Sequence, residues 1–250
     1  MEPRTTRARS TLKLGAVLPA HECAAVDLAR AAERLGVDSV WVPDRFSRDH
    51  AELFTTAAAV AGATERVEVG AYMLNASLRD PAMLTKSIAS LDRLAPARIR
   101  IILGTGWDRS DYEALGLEFP SRDERGRRTR QALAVIKTDT RVPVTVAGVS
   151  DDVLRLAAAE ADGWFLSADA IDTYFERAAF LRRACAEAGR SFDGLRVSCT
   201  LPCIEDAEDR IADLGEHGMD EFLVVLDADD VRGRLEPILG TRDGKKEGTR

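Results

Sequence analysis

The chain has 250 residues, 45% of them hydrophobic and only 6% aromatic, with a formal net charge of −7 at pH 7. That length fits one large barrel or two small domains, with a core built mainly from Ala, Val, Leu and Ile. The acidic balance lacks the basic face of a nucleic-acid binder, and no apolar run approaches the roughly 20 residues of a membrane span.

The opening "MEPRTTRARS" is basic but no apolar core follows it, so no secretory signal is expected. Residues 1–10 and 241–250 read as solvated tails around a single domain over 11–240. "TLKLGAVLP" (11–19) is the first strand, and "AAVDLARAAERLG" (24–36) is its helix, apolar at helical spacing and stopped by Gly36. "VDSVWVPD" (37–44) and "AELFTTAAAVAGAT" (51–64) form the second unit. "RVEVGAYML" (66–74) is the third strand. Its helix opens within "RDPAMLTKSIASLDRL" (79–94), where Asp80 caps and Pro81 fits the first helical position.

"ARIRIILG" (97–104) is the fourth strand, with a longer connection through "RRTRQALAVIK" (127–137). "RVPVTVAG" (141–148) is the fifth, and "SDDVLRLAAAEA" (150–161) is its helix. "DGWFLS" (162–167) and "IDTYFERAAFLRRACAEAG" (171–189) make the sixth unit. "GLRVSCTLP" (194–202) and "AEDRIADLGEHG" (207–218) make the seventh, and "DEFLVVLD" (220–227) with "DVRGRLEPILG" (230–240) the eighth. Near-continuous apolar strands, each followed by a helix, predict a parallel sheet covered on its outer face. Eight units predict a closed (β/α)8 TIM barrel over an open sheet of five or six strands.

In such a barrel the chemistry lies where the strands end. The three histidines, His21, His50 and His217, form neither HxH nor HExxH, and aspartates at helix starts read as caps, so no metal is expected. No lysine falls at a strand end, which removes Schiff-base chemistry. "GVSDD" does not supply a serine-hydrolase elbow, and "GTGWDR" lacks the third glycine of a dinucleotide fingerprint. The cysteines Cys23, Cys185, Cys199 and Cys203 hold no CxxC and read as free thiols of a cytoplasmic protein.

The remaining strand ends are rich in glycine, hydroxyl and aromatic residues: Asn75, Ser77, Thr105, Trp107, Ser110 and Tyr112. Such a site suits a bound cofactor that carries the chemistry while the protein positions it. Gly104 and Gly106 allow close backbone approach or simply a tight turn. Trp107 either lies against a flat ring or packs under its loop. Ala147, Gly148 and Ser150 end a strand where a helix begins, an arrangement for a phosphate, although Asp151 and Asp152 oppose an anion there.

In order and spacing, "LKLGAVLP", "AAERLGVDSVWVPD", "VEVGAYML…RDPAMLTKSIASLDRLAPARIRIILGTGWD", "DYEALGLEFPSRDERGRR", "PVTVAG" and "AAAEADGWF" resemble the bacterial luciferase-like family of flavin- or coenzyme F420-dependent oxidoreductases. The resemblance covers most of Leu12–Leu166. It implies a ring held at the barrel mouth over a bulged third strand, here Tyr72-Met73-Leu74, often kinked by a non-proline cis peptide. It implies a phosphate near Ala147, Gly148, Val149 and Ser150, and a homodimer. Two departures stand out. Several F420-using members carry Asp-His after the second strand, where this chain has Asp44-Arg45, and His21 or His50 on neighbouring loops would have to handle the proton. The family's insertion between the fourth and fifth strands, expected to cover the substrate, is shortened here.

The leading reading is therefore an oxidoreductase that transfers a hydride between coenzyme F420 and a small organic substrate. In it Asp44 and Thr105 position the ring while Arg45 and Trp107 shape the substrate side. One alternative is an FMN-dependent monooxygenase supplied with reduced flavin by a partner reductase. Another is a non-redox barrel that binds an acidic metabolite through Arg45 and Arg79.

Overall fold

Strands that are apolar on both faces must be covered on both, and a ring of such strands does this by enclosing its own side chains. The computed structural model describes residues 12–19, 24–46, 50–201, 207–227 and 229–243. Its strands are β1 (Lys13–Val17), β2 (Ser39–Pro43), β3 (Glu68–Asn75), β4 (Ile99–Gly104), β5 (Val144–Ala147), β6 (Gly163–Leu166), β7 (Arg196–Thr200) and β8 (Glu221–Val225). They pair in sequence order, all parallel, and β8 returns to β1 with Lys13 opposite Glu221 and Val17 opposite Val225, closing the barrel.

The helices are α1 (Ala25–Leu35), α2 (Leu53–Ala63), α3 (Pro81–Leu94), α4 (Arg109–Ala114), α5 (Arg122–Asp139), α6 (Asp151–Glu160), α7 (Tyr174–Glu187), α8 (Ala207–Glu216) and α9 (Val231–Asp243). Local chemistry sets their ends. Asp80 accepts the Ala82 and Met83 N–H groups ahead of Pro81, as expected, and Gly36 ends α1 at φ +97°. Ser121 caps α5 through the Glu124 N–H, so the helix begins at Arg122, five residues before its expected start. α9 continues to Asp243, three residues into the segment read as a tail.

The lumen holds Val17, Trp41, Ile102, Ala147, Phe165 and Leu223, with Tyr72 and Met73 packed on top. Trp41 fits because β1 and β3 present glycine beside it: a methyl on Gly15 or Gly70 would overlap the indole. At the N-terminal end of the strands a charged layer closes the barrel. Ser39 Oγ receives the Trp41 N–H at 2.8 Å and donates to Glu221 at 2.7 Å. Arg196 and Arg100 join Glu221 and Glu68, and Lys13 reaches Glu68 at 3.2 Å.

Two expectations are corrected by this topology. Residues 140–143 are the whole connection from α5 to β5, and a helix-to-strand connection lies opposite the mouth. Its shortness therefore uncovers nothing at the substrate end. The β3 kink is a bulge: Ala71 faces Ile101 and Leu74 faces Leu103, so β3 carries one residue more than β4, and no cis peptide occurs among the described residues.

Gly70→Ala is expected to cost about 2–3 kcal/mol, because the new methyl overpacks the lumen against Trp41. Gly126→Ala, in α5 with open space around it, is expected to stabilise by up to about 1 kcal/mol. Urea unfolding of the two variants checks the contrast.

Candidate active site at the barrel mouth

The bulge turns Tyr72 and Met73 over the lumen, where both are half-buried. Tyr72 meets Phe165 edge-on at 5.6 Å between centroids, and its Oη lies 2.9 Å from Thr200 Oγ1 on β7. Burial raises the Tyr72 phenol above its ordinary value of 10, so it stays protonated at neutral pH. Leu74 faces the core instead.

Asp44, just past β2, has a side chain only 2% exposed. Arg79 grips it with both terminal nitrogens, at 2.6 and 2.7 Å, and the Asn75 N–H donates to the same carboxylate at 2.8 Å. The guanidinium also lies over Phe46 and Phe54. Arg45 turns the other way, to Asp108 at 2.6 Å and Asp111 at 3.6 Å in the β4–α4 segment. Asp44 is thus committed to Arg79 and not open to a ring. Arg45 and Arg79 are likewise held by carboxylates, which removes the basis for binding an acidic metabolite through them.

The two carboxylates around Arg45 are tuned in opposite directions. Hydrogen bonds from Ser110, then Arg45, hold Asp108 below its ordinary value, while burial raises Asp111. The Asp108 contribution to stability is therefore present above an ordinary value of 3.8 and lost as pH falls through its lowered one. That of Asp111 is present below 3.8 and lost as pH rises through its raised one.

At the β4 end Gly104 pairs in register with Asn75, and Thr105 is half-buried. Gly106 adopts φ +67°, where a methyl would strike Asn75 Oδ1 and Tyr112 Oη. Trp107 is 67% exposed, so the reading that packs it under the loop is corrected; Ser110 is exposed and bonded to Asp108. Asn75 Oδ1 takes the Ser77 N–H, yet Asn75 Nδ2 and Ser77 Oγ are buried without a hydrogen-bond partner. Behind them a cavity of about 430 Å³ is lined by Ser77, Tyr112, Phe119 and Arg128.

Across the mouth, Ala147 joins the lumen layer and Gly148, at φ +134°, receives the Trp164 indole N–H on its carbonyl. Val149 and Ser150 lead into α6, where Ser150 makes no side-chain cap and Arg177 pairs with Asp151 at 2.9 Å. The repulsion expected from Asp151 is thus offset. His50 lies half-buried before α2. His21, Cys23 and Cys203 lie outside the described residues. The sequence reading missed Thr200 and the Asp108–Arg45–Asp111 contacts. The inward parity of Ser198 and Thr200 along β7 was the available signal for the first.

An apolar floor, a rim bare of side chains at Gly104, Gly106 and Gly148, and unspent polar atoms at Asn75 and Ser77 fit a planar heterocycle with a polar edge. The fold and site define a (β/α)8 barrel of the kind that positions a cofactor at its mouth. The profile of the luciferase-like monooxygenases matches residues 15–138 and 136–214, and the chain belongs to that family.

The chain is 37% identical over 136 residues to an F420-dependent glucose-6-phosphate dehydrogenase of Kineococcus radiotolerans, covering 50% of this chain but only 40% of that protein. A protein of the same name from Gordonia bronchialis is 28% identical over 223 residues, 75% of this chain and 66% of its own length. The fold matches an F420-dependent secondary alcohol dehydrogenase, solved with an F420–acetone adduct, at TM-score 0.81 and 17% identity, over 93% of this chain and 99% of that one.

Removing one partner from the buried Asp44–Arg79 pair leaves a charge uncompensated. Arg79→Ala is expected to cost about 3 kcal/mol, and Arg79→Lys to recover less than half of that because lysine cannot fork. Denaturant midpoints at pH 7 measure both.

Proposed function

We propose that the chain is an oxidoreductase moving a hydride between coenzyme F420 and a small organic substrate at the barrel mouth. The observation that carries it is a mouth in which Asp44, Asp108 and Asp111 are held in ion pairs around an apolar floor, in a chain similar to proteins named F420-dependent dehydrogenases. The cofactor would supply two-electron chemistry at its ring, and the protein would supply position and shape. Val17, Ala147, Phe165 and Leu223 form a floor that water does not wet. Gly104, Thr105 and Gly106 allow close approach beside Asn75. Ala147, Gly148, Val149 and Ser150, at the start of α6, would hold the phosphate. His50, half-buried before α2, would handle a proton.

The family's description favours a second reading, an FMN-dependent monooxygenase fed by a partner reductase. Fluorescence titration with F420 and FMN separates them. F420 is expected to bind at micromolar concentration and FMN at least tenfold more weakly. The reverse order, with oxygen consumption from reduced FMN, replaces the first reading by the second, and binding of neither removes both.

The proposal includes a cytoplasmic homodimer. The free thiols of Cys185 and Cys199 suit a reducing compartment. No helix of the described residues is long and apolar enough to cross a membrane. Trp107, Leu115 and Leu117 expose an apolar surface around α4 that a second copy would cover. Sedimentation velocity is expected to give twice the 27.3 kDa chain mass; a monomer at micromolar concentration overturns that part.

A further inference from the structure

Two hydroxyls meet across the mouth. Tyr72 leaves the β3 bulge, passes the edge of Phe165 and places its Oη 2.9 Å from Thr200 Oγ1. β3 and β7 are four strands apart in the closed ring, so the bond spans the barrel. Two O–H groups joined by a single hydrogen bond leave one hydrogen over. Whichever oxygen donates, the other directs its hydrogen away from the pair, and a ring that covered the mouth would have to supply that hydrogen with an acceptor. Thr200 is only 4% exposed, and the cluster beneath Tyr72 is Val17, Trp41, Ile102, Ala147, Phe165 and Leu223, whose side chains accept no hydrogen bond.

We propose that Thr200 donates to Tyr72 and that the Tyr72 hydroxyl, the more exposed of the two, donates in turn to a carbonyl oxygen on the edge of the heterocycle held in the mouth, making Tyr72 a cofactor-binding residue and Thr200 its positioning partner. This rests on the reading of the mouth as a redox-cofactor site and extends it by fixing which edge of the ring is anchored. Deazaflavins and flavins share a pyrimidinedione edge with two carbonyl acceptors, so the assignment is the same for F420 and FMN. It also answers the change after β2. Arg45, standing where several F420-using members carry histidine, is held by Asp108 and Asp111. Asp44 is held by Arg79, and the hydroxyl pair is left facing the apolar floor.

The chain contains three tyrosines, and Tyr112 and Tyr174 are each 1% exposed, so tyrosine labelled with ¹³C at Cζ gives a spectrum of three resonances. Tyr72→Phe assigns one of them and removes the hydroxyl while keeping the ring against Phe165. Oxidised F420 and FMN are titrated separately into the full chain. The cofactor that binds is expected to move the Tyr72 resonance and leave that of Tyr174, away from the ring, in place. Tyr72→Phe is expected to weaken its affinity about three- to tenfold, the worth of one hydrogen bond. Thr200→Val is expected to shift the Tyr72 resonance in the free protein, and Thr200→Ser to restore it. A cofactor that binds Tyr72→Phe as tightly as the parent, with the parent's Tyr72 resonance unmoved, overturns the assignment alone. Binding of neither cofactor by the parent overturns the cofactor reading and this assignment with it.

Discussion

A closed ring of eight parallel strands has an inside, and the inside must be filled. Trp41, 1% exposed, is the largest side chain of that filling, and it is admitted because β1 and β3 offer Gly15 and Gly70 on either side. Its indole N–H ends on Ser39, which passes the hydrogen-bond chain to Glu221 and so to the charged layer at the N-terminal end. Glu221 has no exposed surface, and burial pushes its carboxyl up while Arg196 pulls it down. The lumen is therefore polar and ion-paired below, and apolar above. Every group at the mouth, from Tyr72 to Ala147, stands on the layer that Trp41, Ile102, Phe165 and Leu223 create.

Polar groups at the mouth follow the same economy of pairing. Asp44 and Arg45 are adjacent in sequence yet serve different neighbours. Asp44 ties the end of β2 to Arg79 beyond β3, and Arg45 ties it to Asp108 and Asp111 beyond β4. One dipeptide thus fixes three loops at the catalytic end of the barrel. A fork buried to this extent is costly to break, because the remaining charge has no solvent to turn to. The same fixation that gives the mouth a definite shape also commits Asp44, Asp108 and Asp111 to ion pairs.

Much of this was legible in the chain. The eight strand–helix units stand out because apolar runs alternate with helical spacing, and Asp80-Pro81 marks a helix start by local chemistry alone. The first turns of α5 were not visible in the same way. "RDERGRR" is charged all round and carries no apolar stripe, and the segment is held instead by Ser121 capping Glu124 and by Glu124 bridging to Arg127 and Arg128. The exposure of Trp107 could not be read, since residue type does not give direction. Contacts such as Tyr72 to Thr200, 128 residues apart, exist only once the ring has closed. The misplaced lid is different in kind. Strand order alone puts a helix-to-strand connection at the end away from the mouth, so that correction needed only topology.

The arginine at position 45 changes what the rest of the mouth must do. Imidazole gains and loses a proton near neutral pH, whereas guanidinium keeps its charge throughout. Arg45 is a staple between two loops and not a proton-transfer group, and Asp108 and Asp111 are the residues that make the staple hold. Such a staple is compatible with a cofactor that carries its own electrons, because what the protein must then provide is a dry platform and a few directed hydrogen bonds. Tyr72 is suited to that task because burial keeps its proton in place while Thr200 fixes its direction. A permanently charged staple at Arg45 and a neutral hydroxyl over the lumen are then two aspects of a single arrangement, in which the chain shapes and orients what it holds.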